Sequence, residues 1–300
     1  MKPSFLKKGD TIAIVAPAKA IEVSHIDFAK KTLEDNGFHV LVAPNCLGQH
    51  NYFSGTINER TQDLQWAINH ENVKAILCAR GGYGCIQLVE RINWASFMEH
   101  PKWIIGFSDV TVFHQYLAAI DVASIHATMP LNFKNNSILS LESLFFALEG
   151  KPIIYNWKTT HNNTTGEAYG DLIGGNLAVL TSMIGTKQMP NFQNKILFIE
   201  DVGEHLYKID RYFHQLSHAG VLDQIRALII GDFSGMQDTE PPYGKSLEKI
   251  IETHFTYRSI PLAFGFPAGH TNDNRALPFG VSAKLSVQQN HSTLIIGEHS

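Results

Sequence analysis

Short apolar segments alternate with amphipathic ones along the first half of the chain, a pattern typical of a parallel α/β sheet. Continuous apolar runs predict strands buried on both faces, at Thr11–Ala16, Phe38–Val42, Val73–Cys78 and Trp103–Gly106. Apolar residues at helical spacing predict helices, at Ile21–Asn36, Ile57–Asn69, the residues from Gly84 to about Arg91, and Thr111–Ala119. We therefore predict an open α/β sheet wound with right-handed crossovers.

The pattern changes after about Gly150. Residues 151–165 are polar and rich in Thr and Asn, which predicts a linker or exposed loop. Beyond them, apolar runs at Ile196–Glu200 and Ala227–Gly231 are separated by irregular segments, and Ser282–Gly297 alternates like a strand or hairpin with one solvated face. We predict an α/β domain over 1–150 and a strand-rich α+β domain over 166–300.

The composition indicates a folded protein and excludes several classes of partner. Of the 300 residues, 44% are hydrophobic and 17% are charged, which argues against disorder. The net charge is −4 without a concentrated basic patch, so we expect no nucleic-acid partner. The chain has no signal-peptide pattern and no apolar run near the roughly 20 residues of a membrane span. Three cysteines without a pairing pattern are expected to be reduced thiols of a cytoplasmic protein.

A serine stands at a predicted strand-to-helix corner, in Gly106-Phe107-Ser108-Asp109. A small residue two positions before Ser108 allows the tight turn of a nucleophile elbow, and the backbone N–H of Asp109 could then donate to an oxyanion. The match to Gly-x-Ser-x-Gly is incomplete because Val110 replaces the second glycine. A serine here could equally cap the following helix, so the motif alone leaves both roles open.

The segment Arg80-Gly81-Gly82-Tyr83-Gly84 follows the third predicted strand. Because parallel strands end at one edge of the sheet, we expect it to lie near Ser108. Backbone N–H groups of Gly81 or Gly82 could complete an oxyanion hole, and Arg80 could bind a substrate carboxylate. The alternative is a tight turn with Arg80 paired to a neighbouring acid. The glycine spacing does not match a phosphate-binding loop.

A serine nucleophile needs a base, and His270 is the candidate among 15 histidines because it lies in a loop directly after Gly269. Glu200 ends an apolar strand and could orient the imidazole and stabilise its charged form. Asp201 and Glu204 are nearby competitors for that role. The alternative is that the histidine and the acids are simply solvated.

Two further groups of residues could carry chemistry. Asp210, His214 and His218 are each four positions apart, so they could share a helix face and bind a metal ion. The His-Glu-x-x-His pattern is absent, and we predict neither a metal site nor a cofactor. Cys85 follows the glycine-rich segment and could be a nucleophile, but a small buried helix residue is the simpler interpretation.

Taken together, these segments resemble the LD-carboxypeptidase family of serine peptidases. The matching segments occur in the family's order along nearly the whole chain: Ile14–Pro17, Phe53–Arg60, Ala79–Gly84, Gly106–Asp109, Gly174–Leu177, Phe198–Glu204, Asp210–Arg211 and Pro267–His270. One departure is Asn58, where the family usually carries Asp. This position is at the start of a predicted helix, where we expect no effect on the chemistry.

The resemblance implies a triad in which Ser108 is the nucleophile, His270 the general base and Glu200 its orienting acid. Asn176 is a candidate substrate contact in one of the matching segments, and Arg80 is a second candidate. The family fold would be a flavodoxin-like N-terminal domain and a strand-rich, β-barrel-like C-terminal domain, with the site between them. Homodimers are usual in the family, so we expect one here.

The substrate implied by the resemblance is the cytoplasmic murein tetrapeptide, cut between the L-centre of its diamino acid and terminal D-Ala during cell-wall recycling. Two alternatives stay open. One is a self-immunity hydrolase of the same fold that cleaves a peptidyl- or aminoacyl-adenylate antibiotic, although no aromatic insertion for stacking adenine is evident. The other is a non-catalytic α/β protein whose glycine-rich loop binds a small anionic ligand.

Overall fold

The computed structural model describes residues 1–297, in which the helices and strands form two sheets and their flanking layers. The strands are β1 Thr11–Val15, β2 His39–Val42, β3 Val73–Cys78, β4 Trp103–Gly106, β5 Ser124–His126, β6 Ile153–Lys158, β7 Gly166–Asn176, β8 Ile196–Val202, β9 Ala227–Ser234, β10 Leu262–Phe264, β11 Leu277–Phe279, β12 Ser282–Val287 and β13 His291–Ile296. The helices are α1 Val23–Asp35, α2 Ile57–Asn69, α3 Trp94–Glu99, α4 Thr111–Ala119, α5 Pro130–Phe133, α6 Ile138–Glu149, α7 Leu177–Ser182, α8 Leu206–His218, α9 Val221–Gln224 and α10 Leu247–Phe255.

The first sheet has the strand order β2-β1-β3-β4-β5-β11. Its first five strands run parallel in the flavodoxin-like order, which confirms the predicted open α/β sheet. The sixth strand, β11, comes from the C-terminal half and pairs antiparallel with β5, with Leu277 opposite His126. It covers an edge that would otherwise present unpaired backbone groups. The C-terminal half therefore contributes to the N-terminal sheet.

The second sheet has the order β10-β9-β8-β7-β12-β13-β6. Strands β7 to β10 are parallel, and β7, β12, β13 and β6 pair antiparallel. Its two edges approach each other: the Trp157 indole N–H donates to the Phe264 carbonyl at 2.9 Å, and Thr164 bridges Leu262. This curling gives the strand-rich half the barrel-like character that the family resemblance implied.

Two predicted elements are wrong. The segment 151–165 was predicted as a linker or exposed loop, but residues 153–158 form β6, paired with β13. Its buried residues Ile153, Tyr155 and Trp157 alternate with exposed ones, a strand period hidden by polar neighbours. The predicted helix up to Arg91 is instead a single 3₁₀ turn, Cys85–Gln87, followed by further turns, which bury apolar residues at a similar spacing.

The start of α4 connects the two sheets. The Thr111 hydroxyl accepts a hydrogen bond from the backbone N–H of Asn176, at the end of β7, at 2.9 Å. A Cβ atom on Gly175 would lie 2.4 Å from the Thr111 hydroxyl oxygen, so only glycine allows this approach. Because Ser108 is three residues before Thr111, in the turn that leads into α4, the contact places it beside the second sheet. Among residues 1–297, no helix is both long and apolar enough to cross a membrane.

Candidate active site

Ser108 lies at a sharp strand-to-helix corner, as its motif predicted. The strand β4 ends at Gly106, and Ser108 begins a short 3₁₀ turn that leads into α4. Ser108 has φ +61°, a left-handed conformation that costs an L-residue on the order of 1–3 kcal/mol and is common at functional sites. A Cβ on Gly106 would lie 2.8 Å from Val110 Cγ2, which explains the glycine two positions earlier.

The Ser108 hydroxyl contacts a histidine and does not cap the helix. Its Oγ lies 3.2 Å from Nε2 of His270. The N-cap residues of the 3₁₀ turn and of α4 are Phe107 and Val110, and neither makes a side-chain cap hydrogen bond. The alternative role of Ser108 as a helix cap is therefore not observed.

His270 is held on its other side by Glu200, which lies in β8 and is fully buried. The distance from His270 Nδ1 to Glu200 Oε2 is 2.7 Å. A Cβ on Gly269 would lie 3.0 Å from the Glu200 Cβ, so glycine permits the loop to approach the strand this closely. The Phe107 ring packs edge-to-face on the imidazole, with ring centroids 5.0 Å apart.

These contacts fix the protonation state that the site requires. An ionised carboxylate only accepts hydrogen bonds, so Nδ1 of His270 carries the proton and donates to Glu200. The lone pair of Nε2 then faces the Ser108 hydroxyl, which donates to it. The three side chains can therefore move a proton from the serine to the imidazole while the carboxylate stabilises the charge that forms.

Acidic groups surround His270 and alter its proton affinity. Burial lowers the pKa of His270, but the hydrogen bond and charge of Glu200, with the charges of Asp201 and Asp232, outweigh burial and raise it above the ordinary value of 6.5. Asp232 was missed by the sequence analysis. A Cβ on Gly269 would lie 3.1 Å from the Asp232 Cβ, so Asp232 lies close to the loop that carries His270. The feature of the sequence that could have identified Asp232 is its position directly after a predicted strand.

The two competing acids have other partners. Asp201 accepts hydrogen bonds from the Asn176 side-chain amide at 3.0 Å and from the backbone N–H of Ala178 at 3.0 Å. Burial raises the pKa of Asp201 to about 6. Glu204 pairs with Lys208 at 3.0 Å. Glu200 is therefore the acid that contacts the histidine.

The Asn176 side chain is occupied at both of its polar atoms. Its Nδ2 donates to Asp201, and its Oδ1 accepts from the backbone N–H of Val179 at 3.1 Å, which caps α7. It lies at the end of β7, beside the strand that carries Glu200. The predicted contact of Asn176 with substrate stays a prediction.

Gly81 lies directly against the serine. A Cβ at this position would be 2.9 Å from Ser108 Cβ, 3.1 Å from its Oγ and 3.3 Å from the backbone nitrogen of Asp109. Gly81 is therefore close to both the Ser108 side chain and the backbone nitrogen of Asp109, the region in which the predicted oxyanion hole would lie. A Cβ on Gly82 would instead lie 2.7 Å from the Tyr52 hydroxyl oxygen. The roles of Gly81, Gly82 and Asp109 as oxyanion donors stay predictions.

Arg80 lies beside a cavity of about 480 Å³, lined also by Lys19 and Tyr52. Its Nη1 donates to the Ala20 carbonyl at 2.9 Å, so this contact is to the backbone and not to an acid. Its buried Nε has no hydrogen-bond partner within residues 1–297. The role of Arg80 in binding a substrate carboxylate stays a prediction.

The two other sequence candidates lie outside the Ser108–His270–Glu200 group. Cys85 is fully buried, burial raises its thiol pKa well above the ordinary value, and its backbone N–H donates to the Asp109 carboxylate at 2.9 Å. The buried interpretation of Cys85 is therefore the correct one. The sequence grouped Asp210, His214 and His218 as a possible metal site. In the structure, the residue close to Asp210 and His214 is His254 and not His218, and its Nε2 lies 2.9 Å from Asp210 Oδ1.

Both halves of the chain match known protein domains. The N-terminal domain of LD-carboxypeptidases matches residues 12–127, and their C-terminal domain matches residues 169–285. A probable murein peptide carboxypeptidase of Bacillus subtilis is 31% identical over 99% of this chain and 95% of its own length. The murein tetrapeptide carboxypeptidase of Pseudomonas aeruginosa is 32% identical over 91% of this chain and 92% of its own.

A solved structure agrees with these sequence matches. The muramoyltetrapeptide carboxypeptidase of Oxalobacter formigenes superposes with a TM-score of 0.89 at 29% identity, covering 96% of this chain and 99% of that one. The microcin C7 self-immunity protein MccF of Escherichia coli is also similar, with 28% identity over 98% of this chain and 94% of its own. On this evidence the chain belongs to the LD-carboxypeptidase family and is a carboxypeptidase.

Proposed function

We propose that this protein is a serine carboxypeptidase that releases terminal D-Ala from murein tetrapeptide by cleaving the bond after the L-centre of the diamino acid. The observation that carries the proposal is the hydrogen-bonded chain from Ser108 through His270 to Glu200. The murein peptide carboxypeptidases among its relatives support the substrate class. As the family resemblance implies, we further propose that it acts as a homodimer in the cytoplasm, in cell-wall recycling.

The proposed reaction has two steps through an acyl-enzyme. Ser108 Oγ attacks the carbonyl carbon of the L-centre while Nε2 of His270 takes the hydroxyl proton. The oxyanion accepts hydrogen bonds from the backbone N–H of Asp109 and from that of Gly81 or Gly82. As the C–N bond breaks, His270 returns the proton to the amine of D-Ala. His270 then takes a proton from a water molecule that attacks the ester carbonyl, and it returns this proton to Ser108 Oγ as the ester bond breaks and the shortened peptide leaves as a carboxylate.

A second candidate function is supported by the similarity to MccF, which is named as a self-immunity protein. The same three side chains would then hydrolyse a peptidyl- or aminoacyl-adenylate antibiotic. A non-catalytic ligand-binding role is the third possibility. The first is favoured because the relatives with more than 30% identity include proteins named for murein peptides.

The experiment that separates these functions uses two substrates and one control. The protein is incubated with murein tetrapeptide and, separately, with an aminoacyl-adenylate analogue, and the products are identified by mass spectrometry. We expect free D-Ala from the tetrapeptide and none from a Ser108→Ala sample. Cleavage of the adenylate analogue alone would favour the self-immunity function. No product from either substrate would favour the non-catalytic role.

The pH dependence of kcat/KM is expected to report the raised pKa of His270. Only neutral His270 can accept the serine proton, so activity rises as the pH rises through that pKa. Because neighbouring carboxylates raise the pKa, the midpoint of this limb should lie above 6.5. The measurement is D-Ala release across about pH 5 to 9, which spans the ordinary range of histidine titration.

The variant Asp232→Asn tests whether neighbouring carboxylates raise the pKa of His270. It removes one of the charges that raise the His270 pKa, so the limb should move to lower pH while the hydrogen bond to Glu200 is kept. A wild-type midpoint at or below 6.5, or an unchanged midpoint in the variant, would contradict this account.

A further inference from the structure

Helices α8 and α10 bring together a cluster of side chains outside the candidate active site. Asp210 and His214 are one turn apart on α8, and His254 lies on α10. One ligating atom from each lies within 4.8 Å of the others. We propose that this cluster binds a divalent transition-metal ion of the zinc type. We call it the α8–α10 cluster.

The distances within the α8–α10 cluster are close to those of a metal site. His254 Nε2 lies 2.9 Å from Asp210 Oδ1, and His214 Nε2 lies 3.8 Å from Asp210 Oδ2. Tetrahedral zinc with ligands at about 2.0–2.1 Å holds neighbouring ligand atoms roughly 3.3 Å apart. The two observed distances run to different oxygens of Asp210 and lie on either side of this value, while the three ligating atoms all lie within 4.8 Å of one another. An ion could therefore replace the Asp210–His254 contact through small side-chain shifts.

The donor set selects the kind of ion. Two imidazole nitrogens and one carboxylate oxygen suit Zn²⁺ and its transition-metal neighbours, whereas Mg²⁺ and Ca²⁺ prefer all-oxygen sites. Three protein ligands leave the fourth position to water. Tyr243 supports the site, because its hydroxyl donates to Asp210 Oδ2 at 2.5 Å and so orients the carboxylate.

The burial of the ligands indicates both rigidity and access. The His254 side chain is only 6% exposed and that of Asp210 is 15% exposed, so both are held by the surrounding helices. The side chain of His214 is 59% exposed and can turn towards an incoming ion from solvent. An ion would therefore enter from the His214 side and be fixed by the two less exposed ligands, Asp210 and His254.

The bound ion would link two helices and would not take part in the chemistry. Its ligands come from α8 and α10, and none of them is among the residues that contact Ser108, His270 or Glu200. Because α8 follows the strand that carries Glu200, the link would stabilise the layer behind that strand. An ion that binds only the folded chain raises its stability with concentration. The inference does not rest on the proposed peptidase activity.

The test is a zinc titration of untagged, chelator-treated protein, followed by calorimetry and by thermal unfolding. We expect one Zn²⁺ per chain and a Tm that rises with zinc concentration. His214→Gln should weaken zinc binding about tenfold or more and remove most of the Tm increase, as His254→Gln should. His218→Gln is the matched control, because His218 is exposed on the same helix but lies outside the cluster.

His214 is exposed, so the His214→Gln variant should fold normally without zinc. The Tm of this variant in the presence of chelator checks its folding, and the test therefore still works if His254→Gln unfolds. Saturable 1:1 binding that is weakened by His214→Gln and kept in His218→Gln supports the site. Absence of binding at millimolar zinc would overturn the proposal. So would equal loss in the His214 and His218 variants, or binding unaffected by the His214 change.

Discussion

Ser108→Ala is expected to reduce D-Ala release by about 10⁴-fold or more while the protein stays folded. The change removes one atom, the oxygen that lies 3.2 Å from His270 Nε2 and that we propose as the nucleophile. Without this oxygen the proposed acyl-enzyme cannot form. The lost hydrogen bond is partly buried and should cost about 1 kcal/mol of stability.

The measurement for Ser108→Ala is kcat/KM on murein tetrapeptide, with thermal unfolding as the check on folding. Ser286→Ala is the matched control, since that hydroxyl bonds to Glu167 on the surface of the second sheet. Its activity should equal that of the parent. Retention of substantial D-Ala release by the Ser108 variant would exclude Ser108 as the nucleophile.

Glu200→Gln is expected to lower kcat/KM by about 10³–10⁴-fold with little change in shape. The carboxylate accepts the Nδ1 proton of His270 at 2.7 Å and so leaves Nε2 free to accept the serine proton. A glutamine amide can donate to Nδ1 instead, which favours the tautomer whose Nε2 cannot act as a base. The uncharged amide also no longer stabilises the imidazolium that forms during the reaction.

The variant Asp232→Asn separates charge from hydrogen bonding in this prediction. Both substitutions remove a negative charge near His270, but only Glu200→Gln changes the group that bonds to Nδ1, from an acceptor-only carboxylate to an amide that can also donate. We expect Asp232→Asn to shift the pH profile and to leave the maximal rate within about tenfold. Equal losses of maximal rate in the two variants would contradict the orienting role of Glu200. Thermal unfolding of both variants provides the control for folding.

The sequence predicted the first four strands of the first sheet, β1 to β4, because each is a short apolar segment whose residues are mostly buried or half-buried. Helix Ile57–Asn69 and strands Val73–Cys78 and Trp103–Gly106 have the predicted bounds, since continuous apolar runs and helical spacing are properties of short segments. Strand β6 was missed because its alternation of buried and exposed residues is short. Its pairing with β13, which is far away in sequence, decides which of its faces is buried. Pairing of this kind leaves little local signal.

The candidate site was predictable only in part. Sequence motifs and the family resemblance named Ser108, Glu200 and His270, and the structure brings these three into hydrogen-bond contact. Ser108 alone could equally have been a helix cap. Asp232 was missed because an acid at the end of a strand carries no sign of which loop will pack beside it.

The sequence by itself determined the elements of the parallel sheet, the glycine-flanked turns and the residue types of the candidate site. Only the tertiary structure decided which distant residues meet. His270 lies 162 positions from Ser108, and His254 lies 44 positions from Asp210. Periodicity and capping act within a turn or a strand, whereas these contacts depend on how whole sheets and helices pack. A one-dimensional pattern records which face of an element is buried but not which partner covers it.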